Sequence, residues 1–589
     1  MAKTIFIVFG LIFTIAYSLQ YIESSSGLTP PTWEGGRTEL EFADINNDGN
    51  IDILSIGDHG CPNVNATEHG VMVWFGNGQG GWTNYMNGNF GYGGIAVGDV
   101  NNDGYLDVGY GMHHNYSSND FGNQLMEVAL GDGTGMNWTP WDDSLGMNGQ
   151  TWGMFGTDFA DIDNDGDLDI GSVSFGSGDG IHIHQNLMNG TWHQSFGFIG
   201  GNSSMEFQFG DINKDGKADF VATHQNSSVY FGNGLGNFTT AMYNLPPLGA
   251  YENYRSVSLA DVDNDGGQDF GFLTPQGILK VYVFDELGDT WQNYTGNLPT
   301  AVYQRVNLWD MNGDGFADVV VQGSGTIRIW TGNGQGVWAE SCYFTTPSPG
   351  TGQAVTVRGD CDHNGYADIA MVLNEGSWPN DHNVMRVFKE TSQPTSLRII
   401  PVFPKGSEYF KPLSVNFIKW VSAVPNNETS HVSIEFSSQG LSGPWTILFS
   451  NLPNNGTKQW LIPNVVSTNC YLRLKVFTQT GIDSVVTRQP FTISGNPGIF
   501  NESGKTLKTN ITYLIQNKTI KIPIYLSKPE NISIKIYSID GRNLYSDLKQ
   551  FNAGNQKIII NKRFAKGTYF INIKGTDFIE NAKVIKIID

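Results

Sequence analysis

A nine-residue pattern, Asp161-Ile-Asp163-Asn-Asp165-Gly166-Asp-Leu-Asp169, constrains this chain more than any other feature, because it recurs seven times over the first two thirds of the sequence. The copies start at Asp44, Asp99, Asp161, Asp211, Asp261, Asp310 and Asp360, each with oxygen side chains at positions one, three, five and nine and glycine at position six. Alternate acidic positions converge on one centre when the backbone curls, glycine permits the sharp turn, and a hard cation takes about six to eight oxygens. The pattern therefore reads as a Ca²⁺ loop. Solvated acidic turns would account for one copy but not for seven. The expected ligands are Asp44, Asn46, Asp48 and Asp52; Asp99, Asn101, Asp103 and Asp107; Asp161, Asp163, Asp165 and Asp169; Asp211, Asn213, Asp215 and Asp219; Asp261, Asp263, Asp265 and Asp269; Asp310, Asn312, Asp314 and Asp318; Asp360, Asp362, Asn364 and Asp368.

Successive loops start 55, 62, 50, 50, 49 and 50 residues apart, a period that fits one four-stranded propeller blade per repeat. Short alternating strands enter the loops (Phe207-Gln-Phe209-Gly, Val257-Ser-Leu259-Ala) and apolar ones leave them (Asp169-Ile-Gly-Ser-Val, Asp318-Val-Val-Val), so each loop caps a β-hairpin. An EF-hand is excluded, since it needs flanking helices and a glutamate at position twelve. A second signature follows in most repeats, as in Phe75-Gly-Asn-Gly-Gln-Gly-Gly-Trp82 and Thr331-Gly-Asn-Gly-Gln-Gly-Val-Trp338. Its glycines suit an outer turn and its aromatic is expected to pack between blades.

Loops and turns together resemble the FG-GAP or VCBS-type repeats of integrin alpha-subunit propellers. The resemblance implies a seven-bladed β-propeller over 30–392 with up to seven Ca²⁺, and leaves function open, because such scaffolds serve adhesion receptors, lectins and polysaccharide lyases. After the seventh loop no Gly-Asn-Gly turn appears, so the last outer strand is missing there; a segment around Thr32-Trp33 is expected to supply it. In that geometry the loops after the exit strands lie opposite the metal hairpins. They are long in repeats one (Gly57 to Gly70), two (Gly111 to Gln124) and seven (Asn374 to Asn383), which bring His59, His113, His114, Trp378 and His382 to adjacent blades as a candidate ligand site. The alternative is that these loops are tolerated insertions. Trp138, Trp141 and Trp152 mark a second possible site, and His182-Ile-His184 reads as two surface histidines rather than a metal pair.

Residues 1–18, with Lys3, an apolar run from Ile5 to Ala16 and Ala16-Tyr-Ser18, read as a signal peptide that is too short to span a membrane, leaving a mature chain from about Leu19 without a membrane span. The net charge of -23 comes largely from the loops, which hold 23 carboxylates at ligand positions, so nucleic acid is not an expected partner. Four cysteines are too few for a disulfide framework; Cys342 with Cys361 is a possible bridge, and Cys470 is expected to be a buried thiol. The sequons at Asn65, Asn115, Asn137, Asn189, Asn202, Asn226, Asn237 and Asn293 are surface sites if the host glycosylates them.

After the linker Ser-Gln-Pro-Thr-Ser the loop pattern stops. Residues 395–495 alternate as short strands with Trp420, Trp445 and Trp460 available for a core, and look like a seven-strand immunoglobulin or fibronectin III sandwich. In 500–589 basic residues outnumber acidic ones about two to one. Its segments Ile532-Ser-Ile-Lys-Ile-Tyr-Ser-Ile-Asp540-Gly541-Arg542, Lys566-Gly567-Thr-Tyr569 and Lys583-Val-Ile-Lys-Ile resemble the C-terminal sorting domain of type IX secretion substrates, which implies export and a secretion-machinery partner. The expected fold class is thus all-β: propeller, sandwich, and small C-terminal β-sandwich. No linear catalytic motif is present. The sequence favours a secreted or cell-surface Ca²⁺-binding protein that binds a surface glycan or protein, in adhesion or ligand capture, over a polysaccharide-active enzyme or a purely structural surface component.

Overall fold

The computed structural model describes residues 19–494, apart from 29–37, 58–69, 87–92, 113–123, 146–153, 175–179, 200–202, 225–226, 249–255, 287, 348–349 and 378–381, and most of 520–587. Seven four-stranded antiparallel sheets make up its first 390 residues. Sheets one to six each take four consecutive strands, within 41–86, 93–140, 154–199, 203–240, 257–293 and 305–345. Their innermost strands touch in order, one against two, two against three, and so on to seven, and the first strand of sheet seven, Thr351–Gly359, touches the first of sheet one, Glu41–Ala43. This cyclic arrangement of blade-like sheets is propeller-like.

Sheet seven has only three strands of its own, Thr351–Gly359, Asp368–Glu375 and His382–Glu390. The fourth is Tyr21–Glu23, paired antiparallel to its edge through Tyr21↔Glu390 and Glu23↔Phe388. The N-terminal segment does complete the last sheet, but about ten residues before the expected place; Thr32 and Trp33 lie outside the described residues. Leu19 is buried, and the Tyr21 hydroxyl donates to the carbonyl of Ala367 at 3.1 Å.

Apolar alternation along the strands fills the space between sheets. Ile53, Met72 and Trp74 of sheet one pack with Ala370, Val372 and Val387 of sheet seven, and Val319, Val321 and Trp330 of sheet six pack with Leu273, Val281 and Val283 of sheet five. The aromatic after the outer turn adds a directed bond. The indole N–H groups of Trp82, Trp192, Trp291 and Trp338 donate to the carbonyls of Ser24, Trp141, Ala241 and Tyr294 at 2.8, 2.6, 3.1 and 2.9 Å. Each acceptor lies just past the outer strand of the preceding sheet, so one tryptophan fills the gap between blades and fixes their register.

The second domain has a three-stranded sheet (Arg398–Phe403, Val415–Ala423, Thr457–Leu461) and a six-stranded one, more strands than the seven expected. The surplus arises because the 11-residue strand Ser467–Phe477 pairs with Phe491–Ile493 near one end and Ile482–Val486 at the other. Trp420 and Trp460 are in its core with Phe410, Leu472 and Phe491. Trp445 is not: it is half-buried on the outer face, under the Arg473 guanidinium at 4.3 Å. Cys470 is a fully buried free thiol, as expected, whereas Cys342 and Cys361 are both unpaired, which removes the bridge.

Residues 1–496 form one compact unit and 497–589 another. The second contains a four-stranded sheet, in the order Asn543–Phe551, Glu530–Ser538, Gly567–Lys574, Ile579–Ile587, and a pair, Ile520–Leu526 with Gly554–Ile560. Ile532, Ile534 and Ile536 are buried while Asn531 and Lys535 between and beside them are exposed, the period of two of a one-sided sheet.

Trp82 both fills the gap between sheets one and seven and bonds to the segment that supplies the missing strand. Trp82→Ala is expected to lower unfolding free energy by about 3–5 kcal/mol, read as a shift of the urea midpoint at unchanged slope.

Candidate metal centres

Every Asp loop is built on two carboxylates that hold backbone. The first-position carboxylate accepts the N–H groups of positions five and six: for Asp44, Asp48 N at 2.9 Å and Gly49 N at 3.0 Å. The same pair recurs at Asp99, Asp161, Asp211, Asp261, Asp310 and Asp360. The ninth-position carboxylate reaches further. Asp52 accepts from Ile45 N at 3.1 Å, at the loop's start, and from Gly76 N at 2.8 Å, at the end of the sheet's third strand. Asp107, Asp169, Asp219, Asp269, Asp318 and Asp368 repeat this latch with Gly131, Asn186, Gly232, Phe284, Gly332 and Glu390 on the third strand.

Position four has φ between 54° and 63° in the six loops where it is not glycine, and it is asparagine in four of these, Asn47, Asn102, Asn164 and Asn264. Asparagine is the residue that best tolerates the left-handed region after glycine. Position six glycines have φ from 73° to 101°, which a side chain would strain.

The third position divides the loops. In three of the four loops with asparagine there, its amide donates to the fifth-position carboxylate: Asn46 to Asp48 at 3.1 Å, Asn101 to Asp103 at 2.9 Å, Asn312 to Asp314 at 3.0 Å. With aspartate there is no donor. Asp161, Asp163 and Asp169, Asp261, Asp263 and Asp265, and Asp360, Asp362 and Asp368 each bring carboxylate oxygens within 4.8 Å of one another. Asp163 Oδ1, Asp362 Oδ1 and Asp167 Oδ1 are buried without a hydrogen-bond partner. Converging oxygens, some of them buried with no donor, fit a divalent cation, and these clusters are able to hold one. Asp167 was not foreseen; its seventh-position side chain is buried in this loop alone. Lysines moderate the charge within two of these clusters, where Lys214 meets Asp265 at 2.6 Å and Lys389 meets Asp362 at 3.1 Å, and in the fourth loop, where Lys217 pairs with Asp215.

Burial dominates the proton affinity of these groups. It pushes Asp52 and Asp107 up to about 8 against the opposing pull of backbone amides, and Asp161 up to about 7. Asp167 rises to about 8 by burial and the charges of Asp165 and Asp161. Asp169, Asp219, Asp318 and Asp368 also lie well above the ordinary carboxylate range, burial again leading.

The sandwich sits on this same face and touches all seven loops. Asn455 donates to Asp44 at 3.2 Å, and Val415 N donates to Asp161 at 2.8 Å. Gln459 both donates to Asp99 O at 2.8 Å and accepts from Asp99 N at 3.0 Å. The Lys405 ammonium bonds Asn264 Oδ1 at 2.6 Å and Gly315 O at 3.2 Å, Arg488 donates to Asp314 O, and Val424 N donates to His363 O at 2.8 Å. At the fourth loop Gly216 lies so close that a Cβ there would come within 2.6 Å of the Tyr409 ring.

Of the candidate ligand residues, His59, His113, His114 and Trp378 lie outside the described residues. His382 is half-buried, opposite Glu375 at the end of its hairpin. That hairpin pairs as far as Glu375↔His382, so the connection is shorter than the Asn374 to Asn383 expected. His182 and His184 are buried, not surface groups; Gln194 contacts His182 Nδ1 at 3.2 Å, and burial holds His184 down to about 3. Trp138 and Trp141 are half-buried, and Trp152 lies outside the described residues.

The FG-GAP-like repeat model matches residues 44–110, 161–222, 211–272 and 310–371, and the secretion system C-terminal sorting domain model matches 516–587. The chain thus carries FG-GAP-like repeats and a type IX sorting domain, which directs it to the cell surface or beyond. No helix among the described residues is long and apolar enough to cross a membrane. No curated protein matches the chain. Among solved structures, the RRP9 WD40 repeats are 9% identical, with a TM-score of 0.37, over 63% of this chain and all of that one. A Lactobacillus plantarum protein is 11% identical at TM-score 0.37, over 70% of this chain and 97% of that one. The chicken CNTN1 FN1-FN3 domains are 10% identical at TM-score 0.13, over 45% and 94%.

Two outcomes are expected. In ion-free protein the folded state keeps the Asp52 and Asp107 protons to about pH 8, whereas the unfolded chain releases them near pH 4. Their contribution is therefore full below pH 4 and lost as pH rises to 8. Chelator-stripped, dialysed protein should melt higher at pH 5 than at pH 8, and a divalent cation added at pH 8 should reverse the difference. Stripping should also speed proteolysis at 391–397, since Asp44 and Asp161 are bonded by the sandwich; equal cleavage rates with and without cation would refute the coupling.

Proposed function

We propose that the protein is a secreted, Ca²⁺-loaded propeller that binds a surface glycan or protein in adhesion or ligand capture. Oxygen-only donor sets with three or four carboxylates suit a hard cation of flexible coordination, which favours Ca²⁺ over transition metals. The observation that carries the binding reading is the sandwich's hold on all seven loops: the metal face is occupied within the chain, so a ligand has the opposite face. Onto that end of the sheets open the connections between Asp52–Gly57 and Gly70–Gly76, Asp107–Met112 and Met126–Gly131, and Asp368–Glu375 and His382–Glu390. These carry His59, His113, His114 and Trp378, and His382 opens the strand that follows the third. Aromatic faces stack on sugar rings or bury against protein, and imidazoles fix orientation by hydrogen bonding. The sorting domain supports an external place of action and engages the secretion machinery.

A variant with the three connections shortened should lose binding on a glycan array and to cells while keeping cation-dependent melting. Trp378→Ala alone should weaken binding by about tenfold or more if the ring is an anchor. Full binding by the shortened variant would reject this face as the site.

A further inference from the structure

The space between the seven loops and the sandwich is hollow. Two cavities of about 140 and 240 Å³ share Asp158, Phe159, Trp309, Arg358, Phe417 and Lys419 in their walls, which makes them lobes of one chamber. The propeller side provides Asp158, Trp309 and Arg358 from the inner strands of sheets three, six and seven, and Glu41 from sheet one; the sandwich strand Val415–Ala423 provides Phe417 and Lys419. All six of these side chains are only partly buried, and the surface they keep lines this chamber.

Two cations converge here. The Arg358 guanidinium carbon and Lys419 Nζ lie 6.0 and 5.9 Å from the centre of the Trp309 ring, and Lys419 Nζ lies 5.7 Å from that of Phe417. Among the described residues neither cation has a hydrogen-bond acceptor or an ion-pair partner; their other interactions are long-range ones with each other, Glu41 and Asp158. Asp158 is already engaged, accepting Phe159 N at 2.9 Å and Phe209 N at 2.8 Å. Glu41 accepts no hydrogen bond from the described residues. Burial, and then the Arg358 charge, hold Lys419 down to about 8. A guanidinium and an ammonium that each lie about 6 Å from one indole at a domain interface, with no acceptor among the described residues, are stabilised by an acceptor that reaches both.

We propose that this chamber binds a small hydroxylated oxyanion of the 2-hydroxycarboxylate class, its carboxylate held between Arg358 and Lys419 and its hydroxyl donating to Glu41. The guanidinium presents a fork that matches a carboxylate edge, the ammonium supplies a second point charge, and Glu41 is an acceptor that a simple carboxylate leaves unused. The indole of Trp309 walls the chamber against the ligand's carbon skeleton. Because one cation belongs to each domain, the ligand bridges propeller and sandwich, and binding adds to the stability of their docking. This site lies on the covered face and is independent of any ligand on the opposite one.

The test uses the full mature chain with saturating calcium and constant ionic strength, in chloride, acetate or glycolate. Melting temperature should rise from chloride to acetate to glycolate, with saturable heat on titrating glycolate. R358Q and K419Q should each weaken glycolate binding by about tenfold or more, and E41Q should bring glycolate down toward acetate. Calcium-dependent melting retained in each variant shows that the fold is intact; should K419Q fail to fold, K419M and R358Q decide. Identical melting in the three anions, or undiminished glycolate binding in a folded R358Q variant, would overturn the proposal.

Discussion

The interaction on which the structure depends is the buried ninth-position carboxylate. In every sheet it accepts one amide from the start of the loop and one from the end of the third strand, so a single side chain fixes three backbone segments that sequence alone would leave independent. A neutral isostere could make at most one of these bonds well, because an amide offers one acceptor atom and a donor where the second acceptor is needed. The result is a negative charge in a nearly dry place, repeated seven times. Its desolvation is offset by amide dipoles and, when available, by a proton or a cation. The oxygens that could hold a metal ion are in this sense a consequence of how each sheet is tied together.

That view joins the loops to the sandwich. Carboxylates already committed to the loop backbone retain outward lone pairs, and the sandwich uses some of these directly, through Val415 N at Asp161 and Asn455 at Asp44. The loops with aspartate at the third position crowd their oxygens, while three of the four with asparagine carry an internal donor. The charge is therefore uneven among the loops, and part of it is met by Lys214, Lys217 and Lys389. Docking of the sandwich therefore draws on the same oxygens that could hold a cation.

Much of the fold was legible because its signals are periodic. Seven loops at near-constant spacing, with strands entering and leaving, specify the hairpins; the Gly-Asn-Gly turn and its aromatic specify the outer edge, and Trp82 and Trp338 do bond to the preceding sheet, as do Trp192 and Trp291, which follow turns without that motif. The completing strand was misplaced because an aromatic at Trp33 mimics the outer-strand signature, whereas Tyr21–Glu23 has no turn residue before it to announce a strand. Histidines on Gly180–Asn186 looked like a solvated edge, yet that strand lies between neighbours on both sides of its sheet and its alternate faces are both covered. Trp445 shows the reverse: an aromatic in an alternating domain need not enter the core when an arginine covers it.

The docking of the sandwich had no local signal at all. Val415, Asn455 and Gln459 are ordinary residues in ordinary strands and turns, and the linker before them reads as a boundary. What matters is that the loops offer backbone carbonyls and spare carboxylate lone pairs on one face, and that the sandwich presents amides and basic groups, Lys405 and Arg488 among them, at the matching height. Complementarity of this kind resides in positions brought together from as few as 61 (Val424 with His363) to as many as 411 residues apart (Asn455 with Asp44). It also sets the geometry of the loops' face: the sandwich covers the carboxylate-rich ends of the sheets and leaves their opposite ends uncovered by it.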